Sequence, residues 1–235
     1  DVFGPILSQG YGAGETTSGV CGLTVQDHLQ ARASRPERLA SCGRPFLESL
    51  VEVVDDEGRS VPEGEIGEIV VSGADVFAGY WRAPELTAEV LRNGRYHTGD
   101  LARMDEQGFV YIVDRKKDMV ISGGFNVYPS EVESVLYEHA SVADACVFAI
   151  PDDKWGEAVA AHIVLKPGLA GDSAALDRFC AERLGGFKRP RHIEFVQQLP
   201  KNPNGKVMRR AVQAPYWANH ARKVKDRRAS CRERV

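Results

Sequence analysis

Apolar and polar positions alternate in short runs through the middle of the chain. From about residue 44 to 113 the apolar segments "FLESLVEVV", "GEIVVSG", "DLARM" and "FVYIV" are separated by "DDEG" and "DEQG". Short runs bounded by Asp and Gly predict antiparallel hairpins, so this part reads as β-rich. Beyond Asp114 the rhythm changes. "DMVIS", "VADACVFAI", "EAVAAHIVL" and "RHIEFV" predict strands, and "PSEVESVLYEHA" and "DSAALDRFCAERL" predict helices between them. The whole is an α+β pattern, a β-rich part followed by a small α+β layer. Ser130 and Glu133 have the spacing of a capping box at the first helix start. The second helix is predicted to begin near Asp172 and to end in a left-handed cap at Gly185 and Gly186. Residues 1–43 read mainly as an opening loop.

Charge refines the boundaries. "DRKKD", residues 114–118, falls where the two patterns meet; a charge run alone is a solvated turn, and only its position makes it a hinge candidate. The predicted layout is therefore 1–113 β-rich, 114–118 hinge, 119–214 small α+β domain and 215–235 tail. The last twenty residues hold seven Lys and Arg against Asp226 and Glu233, which predicts a basic, disordered tail with nucleic-acid contact as its weaker reading. Deleting residues 216–235 is accordingly expected to leave stability unchanged.

With 235 residues, 43% hydrophobic and 27% charged, and a formal net charge of -3, the chain has the composition of an ordinary globular protein. No apolar run reaches the ~20 residues that span a bilayer and the first residues do not read as a signal peptide, so a cytoplasmic setting is expected. Five cysteines without C-x-x-C spacing predict packed free thiols rather than disulfides or a zinc site.

Several groups could carry chemistry. In "LPKNPNGKVMRR" the turn at Pro203, Asn204 and Gly205 pushes Lys206 outward, with Arg209 and Arg210 behind it. A lysine so presented can meet a phosphate or carboxylate as a point charge, or can be a solvated surface residue. In "RYHTGD", Asp100 can accept two hydrogen bonds from a vicinal diol such as a ribose, or can cap its turn. Arg115 offers a fork of donors to ribose or phosphate oxygens. Gly123 and Gly124 in "SGGFN" permit close approach of a slender ligand, or a sharp turn. "GYGAGETTSG" has the glycines of a phosphate cradle but neither the terminal Lys of a Walker loop nor the strand–helix setting of a dinucleotide fingerprint.

Taken in order, "YGAGE", "GEIVVSGADVFAGYWRAPELT", "RYHTGD", "DRKKDMVISGGFNVYPSEVE" and "LPKNPNGKVMRR" resemble the serial motifs of the acyl-adenylate-forming, AMP-binding enzymes, from about Gly10 to Arg210. "SGGFNVYPSEVE" is most similar to bacterial fatty-acyl-CoA and long-chain acyl-CoA synthetases. The resemblance implies the C-terminal part of a large adenylating domain, with a barrel-like subdomain of short antiparallel strands, and then a small mobile lid. It implies that Tyr11, beside Gly12, packs on adenine, that Glu15 helps hold magnesium, and that Asp100 and Arg115 bind the ribose of ATP or AMP. It further places Lys117 at the hinge, Gly124 on the pantetheine tunnel of CoA, and Lys206 as the catalytic lysine of adenylation. ATP, magnesium and CoA are the implied cofactors and co-substrates, with a carboxylic acid, fatty by motif, as substrate. No nucleic acid is expected; a homo-oligomer is left open. An adenylation domain serving a carrier protein, or an inactive binding fragment, are the alternatives.

Three departures qualify the resemblance. The Ser/Thr/Gly-rich phosphate loop and large N-terminal domain of the family do not occur in these residues, so the chain is expected to be a fragment that forms no acyl-adenylate alone. Gly14 stands where the family carries Thr or Ser, and Thr16 or Thr17 is the expected substitute hydroxyl. The end of the tail, "KVKDRRASCRERV", has no counterpart in the family's pattern.

Overall fold

The computed structural model of the chain describes residues 4–220. The chain divides into two compact units, Asp1–Lys117 and Asp118–Val235, and is of the α+β class with mainly antiparallel sheets.

In the first unit β1 (Gln9–Gly12) and β2 (Gly19–Leu23) form a hairpin that β3 (Arg44–Pro45) extends. Between β2 and β3 runs α1 (Val25–Ser34), where the sequence read only a loop. Its apolar residues are few and weakly periodic, and its start is fixed by polar groups instead. Thr24 Oγ1 accepts from Asp27 N at 3.1 Å while Asp27 Oδ2 accepts from Thr24 N at 3.0 Å, a capping box that satisfies two otherwise orphaned amides.

A second sheet contains β4 (Ser49–Val54), β5 (Gly67–Gly73), β6 (Leu91–Arg92), β7 (Arg95–Met104) and β8 (Val110–Arg115), with α2 (Pro84–Val90) before β6. The order is β4-β5-β7, and the far edge of β7 takes β6 near its start and β8 near its end. The expected hairpins are thus present, although β7 starts well before the predicted "DLARM". Val20, Ile69, Val71, Tyr96 and Val110 are buried together as the core that joins both sheets.

The second unit runs β9 (Val120–Ser122), β10 (Phe125–Val127), α3 (Pro129–Glu138), β11 (Val142–Asp152), β12 (Gly156–Leu165), α4 (Ser173–Arg183), β13 (His192–Phe195) and α5 (Arg209–Trp217). The sheet order is β10-β9-β12-β11, and β13 lies parallel to β12. Because successive strand residues face opposite sides, the run of β11 serves two cores. Val147 and Ala149 meet Val132 and Leu136 of α3 and Leu176 of α4. Cys146 and Phe148 meet Leu199 and Val212 on the other face.

Local details differ from the sequence reading in three places. Helix α3 begins at Pro129 after Tyr128, because proline's fixed φ and missing N–H suit a first helical position. Ser130 is therefore inside the first turn, and Glu133 turns toward β11, where its Oε1 accepts from Val147 N at 2.8 Å. Helix α4 does start after Asp172, whose Oδ1 accepts from Ala175 N at 2.9 Å, but it ends on extended backbone at Leu184, and neither Gly185 nor Gly186 is left-handed. The expected tail from residue 215 also starts too early: Pro215, Tyr216 and Trp217 belong to α5, and Trp217 packs against the core shared by β11 and α4. The basic residues from Arg222 onward, and Cys231, lie outside the described residues. Cys21, Cys42, Cys146 and Cys180 are buried free thiols. Among the described residues no helix is long and apolar enough to cross a membrane.

Candidate functional site

The expected site residues divide between the units. Tyr11, Gly12, Glu15, Asp100, Arg115 and Lys117 belong to the first and Gly124 and Lys206 to the second.

Asp100 owes its place to a defect in the β5–β7 ladder. The pairs Glu68–Leu101 and Val70–His97 leave Thr98 and Gly99 bulged from β7. Thr98 Oγ1 donates to Ile69 O at 2.9 Å, and Gly99 N donates to Glu68 Oε1 at 3.1 Å. A bulge of this kind re-aims the next side chain. Asp100 then meets Tyr11 of β1, whose hydroxyl donates to its Oδ2 at 2.7 Å, and Arg115, its cross-strand partner on β8, whose Nε lies 3.7 Å from Oδ1. Burial first, and then the Asp100 charge, push the Tyr11 hydroxyl far above its ordinary pKa, so it stays a neutral donor. The Asp100 carboxylate is about one-quarter exposed and Arg115 about half, so both keep polar surface for a ligand.

Gly12 closes β1 at a bulge opposite Gly19; a β-carbon there would lie 2.2 Å from Ser18 O, which leaves no room for any other residue. A short 3-10 turn over Gly14–Thr16 follows and carries Glu15. Tyr80 OH donates to Glu15 Oε1 at 2.6 Å. That hydrogen bond holds the Glu15 carboxyl below its usual pKa and lifts the Tyr80 hydroxyl to about 12. Phe77 supports the pair, with Tyr80 edge-on at 4.9 Å and its own N–H on Glu15 O at 2.8 Å. Ionised Glu15 can offer an oxygen to a hard cation. Among the described residues no cluster of three or more His, Cys, Asp or Glu could hold a metal by itself, so the donor set fits a cation that brings further oxygens, such as nucleotide phosphates.

The expected substitutes for the missing hydroxyl at Gly14 are already engaged. Thr16 is 1% exposed, and its Oγ1 lies within hydrogen-bond distance of Ala13 N, Ala13 O and Ser18 O. Thr17 donates to Asp75 O at 2.8 Å. A β-carbon at Gly14 would meet nothing within 4 Å, so the turn itself does not demand glycine there.

One group was missed by motif reasoning. Glu68 of β5 is 7% exposed, and while its Oε1 takes the Gly99 amide, its Oε2 accepts from Lys116 Nζ at 2.9 Å. Lys116 N in turn donates to Gly99 O at 2.8 Å. Glu68 thereby ties the bulge before Asp100 to the residue just ahead of Lys117. Burial, the largest single influence, would raise its pKa; the Lys116 ammonium and, after it, His97 together outweigh burial and hold it below the ordinary value. A charged residue at an inward β5 position was the available signal.

In the second unit Gly123 and Gly124 make the turn of the β9–β10 hairpin. A β-carbon on Gly123 would strike the Trp155 ring at 2.6 Å, whereas Gly124 faces open space. Lys206 is exposed on its turn, where its N–H donates to Asn202 Oδ1 at 2.9 Å.

Comparison with known proteins fits this layout. The AMP-binding enzyme family matches residues 1–81, and the AMP-binding enzyme C-terminal domain matches residues 131–206. A medium/long-chain-fatty-acid–CoA ligase of Mycobacterium tuberculosis is 44% identical, covering 94% of this chain and 39% of its own length. An amide bond synthetase from Marinactinospora thermotolerans superimposes with a TM-score of 0.78 at 39% identity, covering 91% of this chain and 42% of that one. The o-succinylbenzoate CoA synthetase of Bacillus subtilis, solved with its acyl-adenylate intermediate, gives 0.76 at 35% identity, covering 87% of this chain and 40% of that one. The chain therefore spans about two-fifths of the length of the relatives it matches, and it belongs to the acyl-adenylate-forming, AMP-binding enzyme superfamily, close to the fatty-acyl-CoA ligases.

Proposed function

We propose that the chain supplies the AMP-holding surface and the lid of an AMP-forming acid–CoA ligase. The acid's carboxylate attacks the α-phosphorus of ATP and pyrophosphate leaves; the thiol of CoA then attacks the acyl carbonyl, and AMP leaves as the thiol proton passes to solvent. The observation that carries this reading is the meeting of Tyr11 and Asp100, 89 residues apart, with Arg115 beside them. A carboxylate oriented by a phenol and flanked by a guanidinium suits a ribose diol next to a phosphate.

In this reading Gly12 lets the backbone approach the nucleotide, Glu15 adds an oxygen to magnesium delivered with the phosphates, and Lys206 neutralises charge developing on the α-phosphate. When bound, magnesium screens the phosphate charge. Lys117 is the hinge, and Gly124 leaves passage for pantetheine. The substrate class is a fatty acid and the acceptor is CoA, supported by the names of the Mycobacterium ligase and the Bacillus synthetase.

The test is AMP binding by titration calorimetry. The 235-residue chain is expected to bind AMP, and Asp100→Ala to weaken binding at least about tenfold, as loss of a hydrogen bond to a charged group worth ~1.5–3 kcal/mol requires. Equal affinity in both proteins would remove Asp100 from the site. Because the chain has no phosphate loop of its own, ATP–pyrophosphate exchange by the 235 residues alone is expected to be absent. Exchange above a no-protein blank would refute the division of labour proposed.

A further inference from the structure

The turn that presents Lys206 is clamped at both stems. Inside the turn Asn202 Oδ1 accepts from Asn204 N and Lys206 N, Asn202 N donates to Lys206 O at 2.9 Å, and Lys201 pairs with Val207. On the entry side Lys201 Nζ lies 2.7 Å from Asp144 Oδ2 of β11. On the exit side Arg209, the first residue of α5, sends Nη1 to Asp118 Oδ2 at 3.2 Å and Nη2 to Glu133 Oε1 at 2.7 Å. Arg209, Asp118 and Glu133 have side-chain exposures of 19%, 20% and 17%, so these charges meet largely out of water, where a misplaced partner is costly.

We infer that Arg209 is a positioning residue for Lys206, and that its fork on Asp118 and Glu133 fixes the lysine turn to the first residue of the second unit. A planar guanidinium holding two carboxylates has one orientation, which a lysine ammonium cannot reproduce. Only Val207 and Met208 separate Arg209 from Lys206, and Met208 N is itself held by Pro200 O at 2.8 Å, so the orientation of the fork passes into the turn. Asp118 follows Lys117 directly, and any rotation about Lys117 would therefore carry the lysine turn with it as one piece. An exposed lysine on a slack turn would sample many directions, and small misplacements of a catalytic group lose much of the rate. The inference rests on the ligase reading for the role of Lys206, but its structural half stands apart from activity.

Two readouts test it. In the 235-residue chain, Arg209→Gln is expected to speed amide exchange of residues 202–208 about tenfold while β11 and β12 stay within about twofold, with Arg209→Lys intermediate. Unchanged exchange in the turn, or equal acceleration through β11 and β12, would overturn the inference. In the full-length ligase, Arg209→Gln is expected to slow acyl-adenylate formation about tenfold and to spare thioester formation from supplied acyl-adenylate, because only the first half needs Lys206. An equal fall in both halves would reduce Arg209 to a structural role. If the unmodified full-length protein forms no acyl-adenylate, the ligase reading fails, and the exchange result still decides the structural half.

Discussion

Replacing Trp217 by alanine is expected to cost the second unit about 2–3 kcal/mol. Buried tryptophans truncated to alanine lose ~3–5 kcal/mol, and Trp217 is only partly buried, which lowers the figure. The ring packs at the edge of the core that β11, β12 and α4 share, and its Nε1 donates to Ala149 O at 2.8 Å. Two losses are combined, the apolar contact and the indole hydrogen bond, and a phenylalanine separates them. Trp217→Phe keeps most of the contact and forfeits a hydrogen bond worth ~1 kcal/mol. For a unit of this size a loss of 2–3 kcal/mol lowers the melting temperature by roughly 10 °C or more, readable by calorimetry. An unchanged transition in Trp217→Ala would mean that Trp217 itself contributes nothing to the stability of the second unit. Removal of residues 216–235 is expected to destabilise at least as much as Trp217→Ala, contrary to the sequence expectation that this segment is dispensable.

Glu68→Leu is expected to cost the first unit about 3 kcal/mol, the low end for breaking a buried ion pair from one side. The low end applies because Lys116 is 38% exposed and keeps Asp56 at 2.9 Å. The Gly99 amide also loses its acceptor, Glu68 Oε1, which loosens the bulge that aims Asp100. Glu68→Gln retains an acceptor for that amide and loses only the charge, so its cost is expected to be smaller and to fall on the contacts with Lys116 and His97. The pH dependence has a definite sign. The Glu68 pKa in the folded chain is depressed, so the stabilisation is present above the unfolded value of ~4.3 and is lost as pH falls through the lower folded value. The stability gap between the unmodified chain and Glu68→Gln, measured by urea unfolding, is therefore expected to narrow below about pH 4. A gap that is constant from pH 7 to the acid limit would show that the charge on Glu68 contributes nothing. Because Asp100 is re-aimed by the same bulge, Glu68→Leu is also expected to weaken AMP binding.

Hairpins flagged by "DDEG" and "DEQG", and the alternation of strands and helices after Asp114, were legible because period and turn residues are local properties. Helix α1 was not, since Thr24 and Asp27 cap it but few apolar residues mark it. Helix α5 was hidden for a related reason: it contains Pro215, so local propensity argues against it while Val212 and Trp217 are held by the sheet. The capping-box spacing at Ser130 misled because Glu133 has stronger partners in Val147 N and Arg209 than the helix start could offer.

The sequence by itself determined the α+β class and the order of motifs, and it supplied the candidates proposed to meet a nucleotide, because residue type and spacing carry that information directly. Only the tertiary structure decided that Tyr11 would reach Asp100, that Glu68 would hold the Thr98–Gly99 bulge, and that Arg209 would join Asp118 to the lysine turn. Those pairings depend on which strands become neighbours, and strand pairing is settled by the burial of Ile69, Val71, Val147 and their partners across long separations.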